Sequence, residues 1–191
     1  MRRPKPPWRA FGHMPSNLRG GGKCELSRKR DEYHHILKDE PEWLARAEKL
    51  SSKIYEFTQF IVDVLGVTDV GARFNDKVTY HKSCHVTRLM GIKEQPMKLL
   101  AGIQGLEYLP LHRAERCCGF GGTFTVKNPE ISAVMTREKA LNIADSGANI
   151  VAGSDMACLM NIEGMLDRLY KEGEIDRHIR VMHIAELLNS R

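Results

Sequence analysis

Along the second half of the chain, short apolar runs recur, each followed by a polar turn and in most cases by a longer stretch with helical periodicity. The runs are Val78-Thr79-Tyr80-His81, Leu106-Glu107-Tyr108-Leu109, Asn149-Ile150-Val151-Ala152-Gly153 and Arg180-Val181-Met182-His183. Runs of this length bounded by turn residues read as strands. Helical stretches are predicted from Cys84 through Met97, Leu99 and Leu100, from about Cys158 to Tyr170, and over 185–188. Strands alternating with helical segments imply an α/β fold, a parallel sheet with helices packed on its faces, here over 76–191. Ahead of it the period changes. Trp43, Leu44, Ala47, Leu50, Ile54, Phe57, Ile61, Val64 and Leu65 recur at three- and four-residue steps, with Asp39, Glu40 and Pro41 in front and Gly66 behind. This predicts one long helix over 42–65 whose apolar stripe either covers the sheet or, in part, faces a partner.

Charge divides the chain at residue 31. Residues 1–30 hold nine Lys or Arg against one acid, Glu25, whereas the remainder holds 20 basic and 23 acidic residues. The net charge of +5 and the pI near 9.0 therefore belong to the first segment, and the body is mildly acidic. A nucleic-acid partner loses its electrostatic support. Pro4, Pro6, Pro7, Pro15 and Gly20-Gly21-Gly22 predict disorder over 1–30 and preclude the amphipathic helix of a transit peptide. At 191 residues and 42% hydrophobic content the chain can bury a real core, and no apolar run approaches the ~18 residues that span a membrane. Five cysteines without a signal peptide point to a reducing compartment, where clustered thiols bind metals or do redox work.

The cysteines carry the chemistry. Thirty-two residues separate Cys84 from Cys117 and thirty-nine separate Cys118 from Cys158, which is not the spacing of paired zinc knuckles. Each nevertheless follows a strand candidate, and in a parallel sheet ligand sites form beyond the carboxyl ends of the strands. Cys84, Cys117, Cys118 and Cys158 then share one edge. Soft sulfur donors suit zinc or an iron-sulfur cluster. Neighbouring residues in extended backbone point apart, so Cys117 and Cys118 fit a multi-iron cluster better than two corners of one tetrahedron; zinc is the alternative. Four reduced thiols packed as small core hydrophobes are the plain reading.

Other residues near these cysteines are weaker candidates. Asp155 can act as a ligand or as the N-cap of the helix that carries Cys158. His81 and His85 flank Cys84 and could bind metal, hydrogen-bond a sulfur or shuttle protons. Lys82 and Arg88 could attract a carboxylate. Gly119-Phe120-Gly121-Gly122-Thr123-Phe124 starts like a dinucleotide fingerprint, but Phe124 stands where a small residue is needed and no helix is expected to begin at once. Its glycines read as a tight turn or as room for backbone close to a cluster. Cys24 is an unassigned thiol.

Together, His81-Lys82-Ser83-Cys84-His85, Cys117-Cys118-Gly119-Phe120-Gly121-Gly122-Thr123-Phe124, Cys158-Leu159-Met160-Asn161-Ile162 and Val181-Met182-His183-Ile184-Ala185-Glu186 resemble the lactate utilization protein A family from about residue 33 to 191. More broadly, the cysteines resemble one CCG cysteine-rich domain as in heterodisulfide reductase and the iron-sulfur subunits of glycolate oxidase and anaerobic glycerol-3-phosphate dehydrogenase. The resemblance implies a cytoplasmic iron-sulfur oxidoreductase component that works with other lactate-utilization subunits on a small 2-hydroxy acid, L-lactate, as pyruvate forms. It also implies that Cys84, Cys117, Cys118 and Cys158 bind the cofactor. Two departures stand out. Asp155 replaces the first cysteine of a C-x2-C pair, and only the second of the family's two cysteine-rich halves is present, so residues 1–30 are expected to be foreign sequence from a shifted frame or misplaced start.

Two functions of different classes follow: an electron-transfer subunit with a cluster on the thiolates, or an assembly subunit with structural zinc on the same four cysteines. A strained vicinal disulfide at Cys117-Cys118 is a third chemistry.

Overall fold

A computed structural model describes Tyr33 and residues 35–191; the expected disorder of residues 1–30 and the role of Cys24 lie outside the described residues. Four parallel strands, β1 (Lys77–Tyr80), β2 (Glu107–Tyr108), β3 (Ile150–Gly153) and β4 (Arg180–His183), lie in the order β2-β1-β3-β4. Strands fall within a residue or two of the expected runs. The central strand β3 is buried throughout, which is why Ile150-Val151-Ala152-Gly153 reads as a continuous apolar run rather than an alternating one. Edge strand β2 is exposed and only two residues long.

Side-chain alternation along the strands divides the core in two. Val78, Tyr80, Ile150 and Ala152 face one layer with Leu99, Leu100, Ile184 and Leu187. Val151 faces the other with Ala140, Ile143, Ile162, Leu166 and Leu169. The first layer holds α3 (Glu94–Ala101) and α7 (Ile184–Leu188), and the second holds α5 (Pro129–Asp145) and α6 (Met156–Lys171). Between them in sequence, α4 (Thr123–Lys127) leads into α5. Among the described residues no helix is long and apolar enough to cross a membrane.

The helix expected over 42–65 is instead two pieces, α1 (Pro41–Ser51) and α2, a turn at Phe57–Gln59 that widens into a π-helical stretch, Phe60–Val64. Glu56 makes the break. Its backbone is extended (φ −70°, ψ 151°), and its buried carboxylate accepts hydrogen bonds from the Thr58 and Gln59 amides at 2.8 and 3.1 Å and from the Thr58 hydroxyl. Such capping is available only where a helix starts. The stripe divides accordingly: Ile61 packs on the first core, joined by Val62, whereas Trp43, Leu50, Val64 and Leu65 are exposed. Gly66, with φ of 66°, ends the segment as expected. The helical stretch expected after Cys84 is likewise divided, into a π-helical turn, His85–Leu89, and α3, with Gly91 at φ 69° between them.

Removing the cap should be measurable. Glu56→Ala is expected to cost about 1–2 kcal/mol and lower the Tm by roughly 2–8 °C; an unchanged Tm would contradict the capping role assigned to this carboxylate.

Candidate metal centre

The strand order places a reversal between β1 and β3: from β1 the chain crosses to β2 on one side and then to β3 on the other. Ligand sites in open α/β sheets form at such switch points, beyond the carboxyl ends of the two strands. Those ends lead directly to His81 and Cys84 from β1, and to Asp155 and Cys158 from β3. The His81 amide continues the β1-β3 ladder by donating to the Ala152 carbonyl at 2.8 Å.

Asp155 ties the two loops together. Its Oδ1 caps α6 by accepting from the Ala157 and Cys158 amides at 3.0 and 3.2 Å, and its Oδ2 accepts from Ser83 Oγ at 3.3 Å. His85 Nδ1 stands 3.5 Å from the same Oδ2. The carboxylate thus orients the first turn of α6, and with it Cys158, as the N-cap reading expects.

Cys117 and Cys118 come from the long loop between β2 and α4, and helices α5 and α6 hold that loop. The Cys118 carbonyl accepts from Thr136 Oγ1 at 2.9 Å and Asn161 Nδ2 at 3.0 Å; the Gly119 carbonyl accepts from Ser132 Oγ at 2.9 Å. Gly119 has φ of 84°, and a Cβ there would lie 2.7 Å from both Ser132 O and Thr136 Oγ1. The close approach that requires glycine at 119 is to α5. Helix α4 also begins directly after Gly122, contrary to the expectation that no helix follows the glycines, although it is only five residues long. Arg88 donates to the Glu115 carbonyl at 3.1 Å and so braces this loop instead of standing free for a carboxylate.

All four expected thiols converge. Cys117 contacts both Cys84 and Cys118, and Cys118 contacts Cys158, so they form one chain of sulfur contacts. The adjacent pair does not point apart as extended backbone would require; the loop turns at Gly119, whose amide donates to Cys117 Sγ at 3.4 Å. Cys118 and Cys158 are buried, and Cys84 and Cys117 are partly exposed. His81 joins them, its ring nitrogen lying with the Cys118 and Cys158 sulfurs in a group whose members are all within 4.8 Å of one another. His81 is 1% exposed, and neither ring nitrogen has a hydrogen-bond partner. A buried imidazole without partners is costly unless a ligand completes it.

The surroundings favour the neutral form of Cys84, Cys117, Cys118 and His81. Burial, followed by the neighbouring Cys117, raises the Cys84 thiol pKa. The contact with Cys118 and burial raise that of Cys117. For Cys118, the contact with Cys117 acts downward, but the contact with Cys158 and burial prevail and push it up to about 12. Burial and then the nearby Lys139 charge hold His81 down to about 3, leaving its imidazole neutral and its lone pair available. Sulfur donors beside a neutral imidazole fit a soft cation.

Sequence reasoning missed the helix residues that organise the loop. Ser132, Thr136, Lys139, Ala140 and Ile143 are the buried residues of α5, at three- and four-residue spacing, and the polar ones occupy the end nearest the cysteines. A lysine on the apolar face of a helix was the legible signal. A separate groove of about 410 Å³ is lined by Met156, Met160, Val181, His183 and Glu186 among others, and by no cysteine.

The profile of the CCG cysteine-rich domain matches residues 78–163, which takes in all four converging cysteines. The chain is 52% identical over 160 residues to lactate utilization protein A of Bacillus velezensis, covering 84% of this chain and 65% of the relative. It is 50% identical over 160 residues to the Bacillus subtilis protein of that name, with the same coverage. It thus spans about 65% of the length of these relatives. With lactate utilization protein A of Geobacillus kaustophilus it shares 49% identity over 183 residues, 96% of this chain and 73% of the relative. That longer match leaves about eight residues of this chain outside it, so it takes in part of the basic segment before residue 31. On this similarity the chain belongs to the lactate utilization protein A family.

Proposed function

We propose that this chain is an iron-sulfur electron-transfer component of a lactate-utilization system, with Cys84, Cys117, Cys118 and Cys158 as the thiolate ligands. The observation that carries it is the convergence of four thiols and one unpartnered imidazole at the switch point of the sheet. Four thiols linked in a chain, with the His81 imidazole beside two of them, are more donors than the four that tetrahedral zinc takes, which favours a polynuclear centre. When bound, such a centre accepts and passes on single electrons. The residues around it supply geometry: Asp155 fixes Cys158 at the start of α6, Thr136 and Asn161 hold the Cys118 carbonyl, and the partly exposed Cys84 and Cys117 are the side from which electrons would enter or leave. The relatives' name supports a small 2-hydroxy acid, lactate, as the electron source, and other lactate-utilization subunits as the partners.

A second reading has its own support. His81, Cys118 and Cys158 form a compact buried group, and a fourth ligand from Cys117 would complete a three-sulfur, one-nitrogen zinc site. His81 then acts as a ligand in place of the more exposed Cys84. His85 and Asp155, engaged with each other and with Ser83, are outer supports in both readings.

Anaerobically purified protein is expected to contain iron and acid-labile sulfide, both lost in Cys117→Ser and Cys118→Ser; zinc without iron would replace the first reading by the second. Gly119→Ala is expected to abolish metal retention, because its Cβ would drive the cysteine loop off α5, and to lower the Tm; full metal content would contradict that role of the loop. Because burial and neighbouring sulfurs raise the pKa values of Cys84, Cys117 and Cys118, metal-free protein near pH 7 carries these thiols protonated, and uptake must expel about one proton per thiolate formed from them. Apparent zinc affinity should therefore rise between pH 6.5 and 8.5, as read by competition with a chromophoric chelator. An affinity independent of pH would contradict thiolate ligation.

A further inference from the structure

Lys139 is 1% exposed on the face of α5 that covers the cysteine loop. Its Nζ donates to the carbonyls of Arg113 and Ala114, both at 3.2 Å. Arg113, at φ of 50°, is the one non-glycine residue with positive φ among the described residues, so the ammonium sits under a tight turn of the cysteine loop. Two neutral carbonyls do not neutralise a charge. Among the described residues no carboxylate pairs with Lys139; the adjacent Glu138 is engaged by Arg113 and Arg116 on the surface. An unpaired buried ammonium costs several kcal/mol even after relaxation. Burial works against its charge, and the groups that favour the charged form are the thiols of Cys118, Cys117 and Cys158.

We propose that Lys139 is the built-in counter-cation of the thiolate centre, a positioning residue that holds the turn before Cys117 and offsets the negative charge the cysteines acquire when they bind metal. This rests on the metal-binding reading above, for iron-sulfur or zinc alike. Four thiolates around a dication leave a net charge of about −2 in a buried site, and three thiolates with the neutral His81 imidazole about −1. The compensating charge must be fixed nearby, because water and salt screen it poorly there. The arrangement has two opposite consequences. Without metal, the lysine is a buried charge with no anion and weakens the fold. With metal, it forms a pair with the centre and strengthens retention.

These opposite signs separate a charge role from simple bracing of the loop. The probe is Cd2+, followed by its thiolate charge-transfer absorption, with thermal unfolding of the metal-free protein as the second readout. Lys139→Met removes the charge. Lys139→Gln removes it but keeps amide donors for the two carbonyls, and carries the test alone if the Met variant does not fold. Lys139→Arg keeps the charge. Both neutral variants are expected to bind Cd2+ more weakly by on the order of tenfold or more, while their metal-free forms unfold at or above the wild-type temperature; the Arg variant recovers most of the affinity. Wild-type affinity in Lys139→Gln would overturn the counter-cation role and leave the metal site standing. Equal destabilisation of the metal-free and loaded forms would reduce Lys139 to a brace. A wild-type protein that takes up no Cd2+ would overturn the metal reading itself, and this inference with it.

Discussion

Parallel pairing of β1 with β3 is the constraint on which the site depends. Val78 pairs with Ile150 and Tyr80 with Ala152, so the two strands end at the same height and their loops leave the sheet side by side. A shift of one residue would exchange the two faces of β1, burying Thr79 in place of Val78 and Tyr80 in the first core. The same shift would carry His81 and Cys84 away from Asp155 and Cys158. The hydrophobic pairing that builds the core therefore also sets the distance between thiols that lie more than seventy residues apart in sequence.

The third contributor, the Cys117-Cys118 loop, has no strand to place it and is held through its own carbonyls. Thr136 and Asn161 converge on Cys118, Ser132 holds Gly119, Arg88 holds Glu115, and Lys139 holds Arg113 and Ala114. These bonds satisfy backbone groups that the buried part of the loop cannot satisfy with water. Against this pairing His81 is conspicuous: neither ring nitrogen is hydrogen-bonded, and one of them lies within 4.8 Å of the Cys118 and Cys158 sulfurs.

Much of this was legible in the sequence, for identifiable reasons. Four short apolar runs gave the strands, because buried parallel strands need no alternation to be recognised. The grouping of Cys84 with Cys158 followed from strand ends, and that of Cys117 and Cys118 from the strand candidate that precedes their loop. Periodicity failed at 42–65, since a spacing of three and four residues persists across the break that Glu56 makes and cannot report a change of direction. The contact between Cys117 and Cys118 was also out of reach, because it depends on the local backbone at 117–118, which turns the Gly119 amide back onto Cys117 Sγ, rather than on the spacing of the cysteines. Lys139 was written plainly in the buried stripe of α5, but a lysine among Thr136, Ala140 and Ile143 reads as a solvated residue until the helix is seen to bury that face.

X-ray absorption at the edge of whichever metal the anaerobically purified protein carries tests the central claim most directly, since it sees the ligand atoms themselves. The account predicts a shell dominated by sulfur, with iron neighbours at short distance for a cluster or a single nitrogen among the sulfurs for zinc on His81. A shell made only of nitrogen and oxygen would contradict it, because the strand-end thiols would then have been gathered for packing and not for metal.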